Sequence, residues 1–244
     1  MKLFLKILTI FVIGSFLTAC STTIPAALPA QDTAPTDRSV FTHEKFNDVL
    51  AKFVNDKGKV NYTGIKQNPS NLESYYYDLS RFSPDSHPQM FPTKDHELAY
   101  WINAYNAAVI KTVLHYYPVQ SVKEIESPAW AFFLPKIAGF FVFQRQEYGG
   151  VTTNLYTLEN SVIRKRYNEP RIHFAINCAS GGCPILPMQA FRGEILEQQL
   201  EQAATLFFSE ERNLSVDKTK KTIYLSSIIA VSYTHLTLPT ICSV

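Results

Sequence analysis

The 244-residue chain is poor in several things. It has 9 glycines, 4 cysteines and 18% charged residues. Scarce glycine without a period excludes a collagen-like repeat, and scarce charge excludes a coiled coil. No charge of one sign dominates, with 23 Lys and Arg against 21 Asp and Glu. With no basic run either, the chain has no electrostatic footprint for nucleic acid. The longest apolar run, Ile7 to Leu17, is 11 residues, too short for a bilayer that needs about 20. What is present is apolar and aromatic: 46% hydrophobic residues, 17 Phe and 13 Tyr. That excludes disorder, and the length fits one domain.

Both ends differ from the middle. Lys2 and Lys6 precede the apolar run, which closes on Leu17-Thr18-Ala19-Cys20. This resembles a bacterial lipoprotein signal. The resemblance implies removal of residues 1–19 and lipidation of Cys20, so the partner is a membrane reached through that anchor. Two or three acyl chains anchor stably where one is marginal. Ser21 after the cysteine, rather than Asp, favours the outer membrane of a bacterial envelope, facing the periplasm. Residues 20–40 are rich in Ser, Thr, Pro and Ala and read as a flexible tether. At the other end, Val231-Ser-Tyr-Thr-His-Leu-Thr-Leu-Pro-Thr240 resembles a translated sequencing adaptor, and Ile241 to Val244 fits its continuation. Residues 231–244 are therefore expected to be artefactual. His235 and Cys242 carry no weight, and the natural chain is expected to continue past Ala230. Without Lys2 and Lys6 the charges balance at 21 of each sign, and the remaining domain, 41–230, holds only Cys178 and Cys183.

The expected fold class is α+β, several helices on a small mixed or antiparallel sheet. Phe46, Val49, Leu50 and Phe53 have helical spacing, as do Leu72, Tyr75, Tyr76 and Leu79. Asp56 to Lys59 reads as a turn, Val60 to Tyr62 as extended, and Ser83 to Pro92 as loop. The strongest helix runs from Asp95 to Tyr117, capped by Thr93 and stopped by Pro118. One of its faces carries Leu98, Trp101, Ile102 and Tyr105. Another carries Ala99, Asn103, Asn106 and Ala107, which implies close approach to a second backbone with each amide satisfying buried polar groups. The spacing further predicts a strand over Phe140 to Phe143, a helix from Thr157, a strand over Arg171 to Asn177 and a helix over Ile195 to Phe208. A hairpin is predicted from Leu214 to Val216 and Thr222 to Leu225.

The segment Arg171-Ile-His-Phe-Ala-Ile-Asn-Cys-Ala-Ser-Gly-Gly-Cys-Pro184 is the richest in chemistry. As a strand it sets His173 and Asn177 on one face, ~13 Å apart, with Cys178 on the apolar side. Cys183 follows Ser180-Gly181-Gly182, where the chain can fold back toward His173. A thiolate there, with glycine-rich N–H donors beside it, is one reading: Cys183 as nucleophile and His173 as base. Glu159 or Asn177 would orient the base, and Asn103 or Asn106 would give support. The other reading is a Cys178–Cys183 disulfide closing a small loop, with His173 in the core. For Glu159 a plain helix-terminal acid, or a solvated pair with Arg164, Lys165 or Arg166, competes with the orienting role. No metal is expected, because Cys-x4-Cys is loose spacing with no second ligand pair near. No cofactor is expected either.

Leu98-Ala-Tyr-Trp-Ile-Asn-Ala-Tyr-Asn-Ala107, Leu158-Glu-Asn160 before Ile163-Arg164, Pro170 to Ser180 and Cys183-Pro184 resemble the domain of unknown function 547 family. Gly58-Lys-Val-Asn-Tyr62 resembles its opening motif, and Ile223-Tyr-Leu-Ser226 the start of its closing segment. The resemblance covers 41–230 and implies no reaction. Many members have Glu-His where this chain has Glu159-Asn160. The Trp-Tyr and Asp-Phe pattern of the closing segment is absent here. Members inside plant cells imply that the fold does not require a disulfide. Two functions remain for a ligand that is an unidentified protein or peptide. One is a thiol-dependent hydrolase or transferase acting on peptide or amide bonds. The other is a non-catalytic binding or scaffold lipoprotein, with the aromatic stretch 129–143 as contact surface.

Overall fold

The computed structural model describes residues 21–27, 39–226 and 228–229. The signal segment, Cys20 and the tail 231–244 lie outside the described residues. The architecture is α+β, as expected. A long central helix is wrapped by shorter ones, with a three-stranded mixed sheet and a separate two-stranded hairpin.

Helix α1 (Glu44–Phe53) buries Phe46, Val49, Leu50 and Phe53, the stripe its spacing predicts. The chain then turns at Gly58, whose φ of +67° is the left-handed region that favours glycine. Val60 pairs with Val54 in an isolated bridge. The extended reading stops there, because Asn61 caps helix α2 (Tyr62–Gln67), its side chain accepting from Gly64 N at 2.9 Å. Helix α3 (Ser70–Arg81) buries Leu72, Tyr75, Tyr76 and Leu79.

Helix α4 (Lys94–His115) carries the fold. Thr93 caps it, and Asp95 and Glu97 complement the positive end of its dipole. Every residue from Leu98 to Val113 is buried. A helix apolar all round belongs inside, and here the polar members of that stretch, Asn103, Asn106, Lys111 and Thr112, are partnered from outside the helix.

The segment 138–143 corrects the expectation of a strand. Ala138–Phe141 is a short helix, α5. The strand starts later, at β2 (Gln144–Tyr148), and pairs antiparallel with β3 (Val151–Asn154). Gly149 and Gly150, both at positive φ, form the two-residue turn such a hairpin needs. β2 buries glutamines: Gln144 donates to Gly139 O at 2.9 Å, and Gln146 donates to Thr112 Oγ1 at 3.2 Å. Its other edge is taken by β1 (Thr22–Thr23), parallel to it.

That pairing corrects the tether reading for Ser21–Ala27. Thr22 N donates to Phe143 O and Ile24 N to Arg145 O, and the Ile24 side chain is in the core. Composition misled because backbone groups form a strand whatever their side chains, and one isoleucine supplies the apolar anchor.

After β3 the chain is helical through α6 (Leu155–Thr157), a π-turn (Leu158–Ile163) and α7 (Arg164–Arg166). Asn154 caps this run, which begins at Leu155, two residues before the expected start. Next come α8 (Ile172–Ala175) and α9 (Leu196–Ser209), and then β4 (Leu214–Asp217) with β5 (Thr222–Leu225), the predicted hairpin.

Candidate functional site: a cleft beside the disulfide loop

The segment 171–177 is a short helix leading into extended chain, which corrects the strand reading. Ile176 N donates to Ile172 O at 3.2 Å, closing one α-turn. The alternation carried no sidedness because Ile172, His173, Phe174, Ala175 and Ile176 are all buried. A segment buried on every side is not held to a period of two. The ~13 Å separation of His173 and Asn177, derived for a strand, therefore does not apply.

Two amides of α4 hold the loop beyond α8. Asn106, 2% exposed, donates to Ala175 O at 3.0 Å and accepts from Asn177 N at 2.9 Å. Asn103, one turn earlier, donates to Phe191 O at 2.7 Å and accepts from Phe191 N at 2.9 Å. Each amide acts as a strand partner for a short stretch of backbone. Together they clamp both ends of the loop 177–191.

The loop is also braced from within. Asn177 Nδ2 donates to Pro184 O at 2.7 Å, and its Oδ1 accepts from Ala179 N at 2.8 Å. Cys178 and Cys183 are joined in a disulfide. Ala179 lies at φ 53°, a left-handed conformation that costs an L-residue about 1–2 kcal/mol. Such strain is retained where the surroundings over-determine it. Arg212, just after α9, donates to the carbonyls of Gly181 and Cys183, while Glu210 holds its guanidinium at 2.9–3.0 Å.

Facing this loop is the turn 56–60. A side chain at Gly58 would place Cβ 2.7 Å from Leu186 N, so glycine is required for close approach as well as for φ. Between loop and turn lies a cleft of about 770 Å³. Asn177, Ser180, Gly181, Cys183, Lys59 and Arg212 line it, with Tyr62, whose hydroxyl burial pushes up to about 12. A smaller cleft of about 370 Å³ shares Asp56 and Ile185 with it and continues to Met188 and Leu206 on α9.

The expected site residues divide. Asn177 and Cys183 line the cleft; His173 and Glu159 do not. His173 is buried in α8. Glu159 sits in the π-turn, accepts from Tyr105 OH at 3.3 Å and faces Arg164 at 3.8 Å. Burial holds its carboxyl above the usual range, against the opposing pull of Arg164 and the Tyr105 hydroxyl. Asn160, where a His is common in the resembling family, accepts from Arg164 at 3.0 Å and donates to Tyr156 O at 2.9 Å. Sequence reasoning missed Arg212, whose role as a brace depends on a fold-back of 31 residues. It also missed the hub at Arg171, which pairs with Glu169, Glu197 and Glu201 and anchors α8 to α9. Its guanidinium is held well above its ordinary value by hydrogen bonds to Glu169 and then Glu197. Three glutamates near one arginine, two of them a helical turn apart, were the available signal. Among the described residues no three His, Cys, Asp or Glu are grouped to hold a metal ion.

No curated protein and no solved structure matches the chain. The motif resemblance, drawn over 41–230, is supported over a shorter span that includes α4, both clamping asparagines and the disulfide loop, but neither Gly58 nor Arg212. Residues 89–208 match the model of the family described as protein of unknown function, DUF547.

Proposed function

We propose that this protein is a lipid-anchored component of the bacterial envelope that binds a protein or peptide segment, without covalent chemistry, in the cleft between the turn 56–60 and the disulfide loop. The observation that carries this is the bond between Cys178 and Cys183. With its sulfur in that bond, Cys183 offers the cleft no thiolate, and the two residues assigned to activate it, His173 and Glu159, are outside the cleft wall. The loop is fixed by Asn106, Asn177 and Arg212, and such preorganisation lowers the cost of binding. A disulfide also fits an oxidising compartment, in accord with a lipoprotein signal ending at Cys20.

The test is alkylation of the folded protein across pH, without reductant. Cys178 and Cys183 are expected to stay unmodified until reductant is added. Rapid alkylation of Cys183 well below the ~8.5 of a free thiol would overturn the binding reading. The thiol-dependent hydrolase or transferase would then stand, and Asn177, the one other assigned residue on the cleft wall, favours it. Incorporation of labelled palmitate, lost in Cys20→Ala, tests the anchor separately.

A further inference from the structure

We infer that the loop Trp130–Ile137 is a membrane-contacting surface, inserted into the same lipid leaflet that holds the anchor. The inference rests on the proposed lipidation of Cys20. It goes beyond that in assigning a second, independent contact with lipid.

The loop is apolar and turned outward. Phe132 is 87% exposed and Phe133 68%, with Trp130 and Ile137 also open. Between Ser127 and Phe143 the only charged residue is Lys136, a side chain that can lay its stem along lipid with its ammonium at the headgroups. Tryptophan suits the same interface, since its ring is apolar and its N–H polar.

The loop is also built to stay outward. Ala131, Ala138 and Phe143 form a small cluster of their own under it, and Trp130 stacks edge-on against Phe143 at 5.6 Å. Gly139 lets the base close tightly, because a Cβ there would meet the Ile125 carbonyl oxygen at 1.7 Å. The two phenylalanine rings are thus held in water by a platform.

Chain connectivity then selects lipid as the occupant. Thr22 N donates to Phe143 O at 3.0 Å, the same Phe143 that supports Trp130. Position 20 is two Cα steps away, at most about 7–8 Å. Acyl chains on Cys20 would therefore enter the bilayer beside Phe143, on the edge of the molecule from which the loop projects.

The test uses the full lipidated chain in phosphatidylethanolamine and phosphatidylglycerol vesicles containing lipid brominated in its acyl chains. The chain has 2 Trp, so Trp130→Phe supplies the background from buried Trp101. Trp130 emission is expected to be quenched by the brominated chains and shielded from aqueous acrylamide. Phe132→Ser with Phe133→Ser, both exposed and harmless to the core, should lower loop insertion by about tenfold or more per ring. Palmitate labelling with a Trp130 open to acrylamide and untouched by bromine would overturn the inference and leave the anchor standing. Bromine quenching without palmitate labelling would uphold the loop contact and remove the anchor.

Discussion

Replacing Asn106 by alanine strips two backbone groups of their partner at once, the carbonyl of Ala175 and the N–H of Asn177. A buried group left unsatisfied costs about 1–3 kcal/mol. Ala175 is buried and bears this cost in full, whereas Asn177 is half-buried and can recruit water. The sum is about 1–4 kcal/mol, or roughly 2–16 °C in melting temperature at 2–4 °C per kcal/mol for a domain of this size. Urea and thermal unfolding monitored by circular dichroism read it. Asn106→Asp sharpens the test. One carboxyl oxygen still accepts from Asn177 N, but the other replaces the donor that faced the Ala175 oxygen. The ionised form is disfavoured by burial and by that oxygen, so the folded pKa rises above the unfolded ~3.9. The sign comes from linkage: stability relative to wild type is highest below about pH 4, where the protonated carboxyl can donate to Ala175 O. It is lost as pH rises through the elevated folded pKa. A loss under about 1 kcal/mol for the alanine variant, or an Asp variant whose deficit is flat with pH, would refute the clamp.

The same geometry makes three more demands. Replacing Cys178 and Cys183 together by serine opens a closed loop of sequence separation 5 and should cost roughly 2 kcal/mol; an unchanged urea midpoint would mean that Asn177 and Arg212 alone fix the loop. Gly58→Ala should cost at least about 1–2 kcal/mol from its left-handed φ, with more from the approach to Leu186. Gly58→Asn separates the two effects, since it eases φ and keeps the clash, and full stability there would dismiss the contact. Glu159, with its folded pKa raised, should favour folding at acid pH and lose that contribution as pH climbs through the raised value; side-chain NMR showing an ordinary or depressed carboxyl would contradict the burial argument.

The parts legible in the sequence were those where a helix meets the core along one stripe. Phe46, Val49, Leu50 and Phe53 give α1 directly, and Thr93 and Pro118 bound α4 to within two residues. Asn103 and Asn106 stood out as amides among alanines, a combination with few uses outside close backbone contact. Legibility failed where periodicity carries no information. Residues 172–176 are buried all round, so a helical turn and a strand write the same apolar run. β2 was invisible for the opposite reason, since its inward residues include Gln144, met by Gly139 and Tyr116, and Gln146, whose amide N–H is met by Thr112, all from other elements. The disulfide loop was legible as a place of chemistry, yet composition alone left both the thiol and the disulfide open.

The docking of Ser21–Ala27 changes what an anchor at Cys20 would do. A free tether of 20 residues has a root-mean-square reach of about 25 Å and would leave the cleft at no fixed height above a membrane. With β1 paired to β2, such an anchor would lead into the sheet, and the sheet is tied to α4 through Tyr116 OH and Gln144 at 2.8 Å. Asn106, which clamps the cleft loop, lies ten residues back along the same helix, about 15 Å at 1.5 Å per residue. One rigid element therefore links β1 to the cleft loop, and an anchor at Cys20 would hold that loop at a fixed distance from a membrane. Spin labels at Cys20-proximal Ser21 and at Ser180 should accordingly give a narrow distance distribution in the folded, full-length chain. Ile24→Asp, which puts a charge into the core position that fastens β1, should broaden that distribution toward the tether value while α4 and the cleft loop stay folded. A distribution already broad in the wild type would return 21–27 to the role of tether and remove the fixed standoff.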